Sequence, residues 1–244
     1  LFYMRHLFLA TYILLSLSDC AFAQNFSWVT AAGGTGTDVA YATALDDSAN
    51  IYTVGSFQGT VDFDPGPGTH TVSALGSSDI FILKLSESGT FKWLISIGTS
   101  GAADCAKSVV TDTLGNVYVT GYFQNSSDFD PAAGTSTLTS NGSTDVFVMK
   151  LNSQGTLLWA NSFGSISADE STSIAVDNWG NVYTTGFFSD TADFDPGTGI
   201  AKHSSLGFND AFLQKLDVNG NFLWVRTIGA TGDERINDIA VDVN

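Results

Sequence analysis

The chain has 244 residues, a formal net charge of −16 and only 9 lysines and arginines. That balance excludes a nucleic-acid binder that tracks phosphates, because such contacts need clustered basic side chains. Hydrophobic residues make up 43% of the chain, which excludes a disordered one. The surplus carboxylates suit solubility first and divalent cations second.

The N-terminus reads as a targeting segment. Arg5 follows a start at Met4, Leu7 to Leu17 is apolar but too short for a membrane span, and Ala21-Phe22-Ala23 is a small-x-small cleavage site. Residues 1–23 are therefore expected to be a signal peptide, with the mature chain starting near Gln24. Lipoprotein processing at Cys20 is the alternative, and Asp19 before it fits poorly. Removing Arg5 and Asp19 leaves the net charge at −16. The expected location is extracellular or at the cell surface, with the periplasm as the other choice, and no later run is apolar enough to span a bilayer. Cys105 alone remains after cleavage, so no internal disulfide forms and packing must supply the stability. Its apolar neighbours fit a buried small residue better than a nucleophile.

A repeat governs everything after that segment. Trp28, Trp93, Trp159 and Trp224 recur every 65 or 66 residues. The tetrapeptide DFDP, starting at Asp62, Asp128 and Asp193, keeps the same period, as do D-x-F-x-x-K-L from Asp79, Asp145 and Asp210 and Asn-x-Tyr from Asn50, Asn116 and Asn181. Four independent markers with one period define units at about 28–92, 93–158 and 159–223, with a truncated unit at 224–244.

The second unit shows how each is built. Ser108 to Thr111 is a short apolar strand, and Asp112-Thr113-Leu114-Gly115 is a turn with Asp first and Gly fourth. Asn116 to Phe123 alternates with both faces rather apolar, as in a sheet packed between two others. The loop with Asp128-Phe129-Asp130-Pro131 follows, then a strand from Asp145 to Leu151, a turn over 152–155, and a strand from Leu157 to Phe163 containing Trp159. Gly55, Gly121 and Gly186 are expected to end the second strand of each unit, where a side chain would not fit. Four antiparallel strands with two apolar faces predict an all-β chain, a β-propeller with four-stranded blades and a repeat of about 65 residues. A β-solenoid would have shorter, parallel coils. Phe26 to Ala32 reads as the fourth strand of a further blade. Because propellers close with about 4–8 blades, the expectation is an incomplete open fan of three full blades with partial strands at both ends.

The stretch Ala175 to Gly186, AVD-x-x-GN-x-Y-x-TG, followed by DFDPG at Asp193 to Gly197, D-x-F-x-x-KL at Asp210 to Leu216 and Trp224, resembles the SBBP repeats, bacterial β-propeller repeats similar in pattern to NHL repeats. The resemblance covers residues 26–244. It implies secreted or surface-attached bacterial proteins that share no catalytic residues. The first unit departs slightly, because Asp46 to Asn50 lacks the turn glycine.

The DFDP loops offer paired carboxylates: Asp62 and Asp64, Asp128 and Asp130, Asp193 and Asp195. They are candidate calcium ligands. The rival reading, which the residues favour, is that the first Asp caps a turn, Phe anchors the loop and Pro ends the strand. Asp38, Asp104, Asp169 and Asp233 recur in Gly-rich loops, where exposed turns are expected to use them. His6, His70 and His203 lack a zinc spacing. No nucleophile elbow, HExxH helix or phosphate loop occurs, and Lys107, Lys202, Arg226 and Arg235 form no evident acid–base set. Lys84, Lys150 and Lys215 repeat and read as structural or surface residues.

The favoured function is therefore a non-enzymatic binding or scaffold module for a protein or glycan, with contacts expected in the variable loops 66–78, 132–144 and 197–209, where Phe208 is the notable aromatic. A propeller-based lyase, hydrolase or quinoprotein, and a purely structural adhesion repeat, are the alternatives.

Overall fold

A computed structural model describes residues 28–130 and 134–242; the expected signal segment lies outside them. Every regular element among the described residues is a strand. After β1 (Gly33–Gly34) come β2 (Val39–Leu45), β3 (Ile51–Phe57), β4 (Thr60–Asp62), β5 (Thr71–Ser73), β6 (Asp79–Leu85) and β7 (Phe91–Ile97). The next repeat gives β8 (Cys105–Thr111), β9 (Val117–Asp128), β10 (Thr137–Leu151) and β11 (Leu157–Phe163). The third gives β12 (Glu170–Val176), β13 (Val182–Phe188), β14 (Thr191–Asp193), β15 (Lys202–Ser204), β16 (Asp210–Leu216) and β17 (Phe222–Ile228).

Three four-stranded antiparallel sheets result, in the orders β2-β3-β6-β7, β8-β9-β10-β11 and β12-β13-β16-β17. The hairpin turns follow from the sequence. Gly115 at φ +77° donates its N–H to the Asp112 carbonyl at 2.9 Å, and Gly180 does the same to Asp177 at 2.9 Å. In the first repeat Ala49 occupies that left-handed position, at φ +57°. The Asp that opens each turn also binds the Asn and Tyr of the next strand: Asp112 accepts from Asn116 Nδ2 at 2.8 Å and from the Tyr118 hydroxyl at 3.0 Å. Burial pushes the Asp46 and Asp177 carboxyls up, but hydrogen bonds from Asn50 and Asn181 and their neighbours outweigh it and hold both below the usual range.

The sheets stack face to face, and their first strands make the closest approach, β2 to β8 and β8 to β12. One apolar cluster fills the gap between the first two sheets, with Tyr52, Val54, Ile80 and Ile82 meeting Val109, Val119, Phe147 and Met149. A second fills the gap between the next two, with Val146, Val148 and Phe163 meeting Ile174, Phe188 and Phe212. A third, of Phe57, Val61, Phe63, Phe81, Leu83 and Leu85, lies on the outer face of the first sheet. Each repeat places three phenylalanines together: Phe129 lies 5.2 Å from Phe123 and 5.1 Å from Phe147, centroid to centroid. Such pairs add about 1 kcal/mol each beyond the area they bury.

Four sequence expectations change. The first strand of the second sheet starts at Cys105, not Ser108, and β9 and β10 run on past the expected bounds to Asp128 and back to Thr137. Gly55, Gly121 and Gly186 lie inside their strands, not at the ends, and each faces a bulge. A Cβ there would sit on the carbonyl oxygen of Val39, Cys105 or Glu170 respectively. Residues 28–32 form no strand, because a fourth strand bonds the third strand of its own sheet and no described strand offers that edge. At the other end, residues 236–239 lie along β12 without regular strand pairing: Ile239 N–H donates to Ser173 Oγ at 3.4 Å, as Ile174 N–H does to Ser108 Oγ at 3.3 Å one repeat earlier.

Candidate binding face on the first strands

The bulges decide what the converging first strands display. Each inserts one extra residue opposite the strand glycine: Tyr41, Lys107 and Thr172. Asn237 follows Thr172 at the same interval. Two positions earlier stand Val39, Cys105, Glu170 and Arg235. The frame repeats here and the chemistry does not.

The divergent side chains meet. Lys107 Nζ lies 3.9 Å from the Tyr41 ring centroid and 5.4 Å from that of Tyr122. Burial pushes the Glu170 carboxyl up, against the pull of Lys107 and Arg235. Arg235 in turn lies 4.0 Å from the Phe187 ring. Burial, then the charges of Cys105 and Glu170, raise the Tyr122 phenol far above its ordinary value. The result is a connected series of aromatic and charged groups along the inner edges of the sheets, with Tyr41 half exposed. It can present a cation, a carboxylate and aromatic faces to a ligand. Burial raises the Cys105 thiol, with Lys107 acting against it, so this cysteine is not an activated nucleophile.

The sequence reading left Lys107 and Arg235 unconnected and missed Tyr41, Tyr122 and Glu170. Aligning the first strands and asking which positions diverge would have exposed them. Lys202 lies elsewhere, on β15, and Arg226 stacks on Trp224 at 5.5 Å on β17.

The DFDP carboxylates are engaged by backbone. Asp62 Oδ1 accepts from Asp64 N–H at 3.1 Å and His70 N–H at 2.8 Å. Asp128 Oδ1 accepts from Asp130 and Ser136 at 2.9 and 2.8 Å, and Asp193 Oδ1 from Asp195 and Ala201 at 3.3 and 2.8 Å. Those bonds hold Asp62 and Asp128 below the usual carboxylate range. Asp64 and Asp195 accept from Gly66 and Gly197, each at 2.8 Å. Phe63, Phe129 and Phe194 between them are buried. Pro131 lies outside the described residues. Among those residues no group of three His, Cys, Asp or Glu is disposed to hold a metal.

Of the four aspartates of the Gly-rich loops, Asp233 is exposed as expected and Asp38 partly so, but the other two are not exposed turn residues. Asp104 and Asp169 are completely buried, and each takes a backbone N–H from a distant residue, Gln124 at 2.8 Å and Ser189 at 3.0 Å. In the last repeat Glu234, not Asp233, takes this position. It accepts from Ala230 N–H as Asp169 does from Ser165, while Asp233 binds Asn209 and Arg235. The repeated lysines are structural. Lys84 Nζ sits 4.8 Å from the Tyr52 centroid, 3.6 Å from Asp46 and 2.9 Å from the Ser153 carbonyl of the next sheet. His70 stacks on Phe91 at 4.7 Å, and His203 Nδ1 is 3.2 Å from Thr227 Oγ1. Phe208 is exposed on the rim of an open polar cleft of about 500 Å³ shared with Asp190 and Asn209.

Residues 92–122, from the fourth strand of the first sheet through most of the second sheet's first hairpin, match the SBBP family model, a beta-propeller repeat. An uncharacterized WD repeat-containing protein of Acanthamoeba polyphaga mimivirus is 33% identical over 160 residues, which cover 58% of this chain and 11% of that protein. The chain thus spans about a tenth of that relative's length. A crystal structure of a protein of unknown function from Bacteroides caccae aligns over 79% of this chain and 61% of its own, at 12% identity and a TM-score of 0.37.

Proposed function

We propose that this chain, which carries the SBBP β-propeller repeat at residues 92–122, is an exported, non-enzymatic binding module. Its three stacked sheets serve as three blades of an open fan, and residues 1–23 serve as its signal peptide. The ligand is a protein or a glycan, and it docks on the inner face around Tyr41, Lys107 and Glu170. One observation carries this reading: the first strands keep their bulge and glycine in every repeat, yet exchange Tyr, Lys and Thr at the residue the bulge presents. A purely structural repeat has no reason to vary there while it conserves the frame.

The test is a glycan array and an affinity pull-down with the secreted chain, repeated with Lys107→Ala and Phe208→Ala. Binding about tenfold weaker in Lys107→Ala, with Tm unchanged and Phe208→Ala unaffected, supports the inner face. Loss in Phe208→Ala alone moves the site to the loop cleft. No ligand in either screen favours the structural adhesion repeat.

A further inference from the structure

Carboxylates from successive sheets meet inside the protein, and between the second and third sheets a carboxylate oxygen and a neighbouring hydroxyl both lack a hydrogen-bond partner. Asp145 lies on β10 opposite Phe123 of β9. Asp169 sits in the loop entering β12, and its N–H donates to the Thr144 carbonyl at 2.8 Å. Both aspartates are completely buried. The ion pairs of the described residues, Lys84–Asp46, Lys215–Asp177 and Arg235–Asp233, lie elsewhere. Asp169 accepts from Ser165 and Ser189 N–H, and Asp145 Oδ2 accepts from the Asn141 N–H and side-chain amide at 3.1 and 3.2 Å. Asp145 Oδ1 and Thr144 Oγ1 are enclosed and have no partner.

The junction of the first two sheets shares this only in part: Asp104 Oδ2 is enclosed without a partner there too, but the Ser78 hydroxyl donates to the Asp104 carbonyl at 3.4 Å. In the first repeat, Asp79 has both oxygens taken, by Leu75 and Gly76 N–H at 2.8 and 3.0 Å. In the third, both oxygens of Asp210 face Leu206 N–H at 3.3 and 3.2 Å. The second repeat puts Asn141 where those have leucine and Thr144 where they have Ser78 and Asn209. An extra amide and a free hydroxyl thus accompany the open carboxylate oxygen.

We propose that Asp145, Asp169 and the Thr144 hydroxyl hold a hard divalent cation, of the calcium class, between the second and third sheets. The proposed ligand atoms are all oxygens and two of the groups are acidic, which is the chemistry Ca²⁺ selects. A buried pair of like charges is costly unless something neutralises it. Burial, with Asp169 adding to it, pushes the Asp145 carboxyl up to about 7, and burial pushes Asp169 up to about 6. A shared proton is therefore the competing occupant.

Calorimetry and thermal melting of the chelator-treated chain at about pH 7.5 distinguish the two. The expected result is heat of Ca²⁺ binding and a Tm rise of about 5 °C at about 10 mM Ca²⁺. Asp145→Asn should abolish both. Thr144→Val should keep the fold and weaken Ca²⁺ about tenfold, and Asp62→Asn with Asp64→Asn should leave binding intact. Absence of heat and of any Tm rise overturns the proposal. So does a calcium response that survives in Asp145→Asn, or a Tm that rises on acidification alone while calcium does nothing.

Discussion

The indole N–H of Trp159 donates to the carbonyl of Val218 at 3.1 Å, tying the last strand of the second sheet to the last turn of the third. Trp93 makes the same bond to Ser153 at 3.3 Å, and Trp28 to Glu87 at 3.0 Å. Each ring lies against the turn glycine of the next sheet: Trp159 on Gly220, Trp93 on Gly155 and Trp28 on Gly89. Those glycines have φ between +78° and +83°, so they are needed both for the turn and for the space.

Trp159→Phe keeps most of the packing and loses the bond, and should cost about 1 kcal/mol. Trp159→Ala should cost about 3 kcal/mol, because a half-buried Trp leaves a gap between sheets. Urea denaturation checks both. Equal costs for the two variants would show that the indole bond contributes nothing.

Ala49 holds a left-handed conformation in the place that Gly115 and Gly180 occupy in the later repeats. The strain at a Cβ-bearing residue is about 1–2 kcal/mol, and glycine's larger unfolded-state entropy recovers part of it. Ala49→Gly should therefore stabilise the chain by about 0.5–1 kcal/mol, read as a higher Tm. The reverse change, Gly115→Ala, should lower it.

Asp104 gives the stability a pH dependence. Burial, with a contribution from Asp79, pushes its carboxyl up to about 7. A folded value above the unfolded one means that the contribution is fully present below the unfolded pKa and is lost as pH rises through about 7. Within that window the slope reaches about 1.4 kcal/mol per pH unit. The turn and DFDP carboxylates, held low, act oppositely and lose their contribution as pH falls below the ordinary carboxylate range. In chelator, Tm should peak near pH 5 and decline towards neutrality, and Asp104→Asn should make the upper limb shallower without removing it, because Asp145 and Asp169 are raised as well. A wild-type Tm that climbs steadily to neutral pH contradicts this.

Cys105 is enclosed and its thiol is raised by burial. In a chain begun at Gln24, which lacks Cys20, a thiol reagent should leave native Cys105 unlabelled and modify it at once in denaturant. Rapid labelling of the native chain would show that the first strand of the second sheet opens readily.

The period, the turns and the fourth strands were legible because each rests on local chemistry: an Asp and a Gly three residues apart, or an apolar run around Trp159 that ends where the strand ends, at Phe163. The bulges were not legible. An extra residue in one strand shows only against its partner, and it decides which face Lys107 occupies. The buried aspartates were misread for a related reason. Asp104 looks like a loop residue in sequence, but the N–H that satisfies it belongs to Gln124, brought back by a hairpin. The inner-face series was hidden because its members, Tyr41 to Arg235, come from successive repeats and meet only once the sheets stack.

The tryptophan bonds join residues 59 or 60 positions apart, always reaching forward to the sheet that follows. A chain threading out of a ribosome or a secretion channel can therefore complete each sheet and latch it to its predecessor before the next has emerged. Assembly by such local steps avoids the slow search that distant pairings impose. It also means that the newest sheet always carries one bare oily face, so the growing end is where a stalled nascent chain would stick to its neighbours.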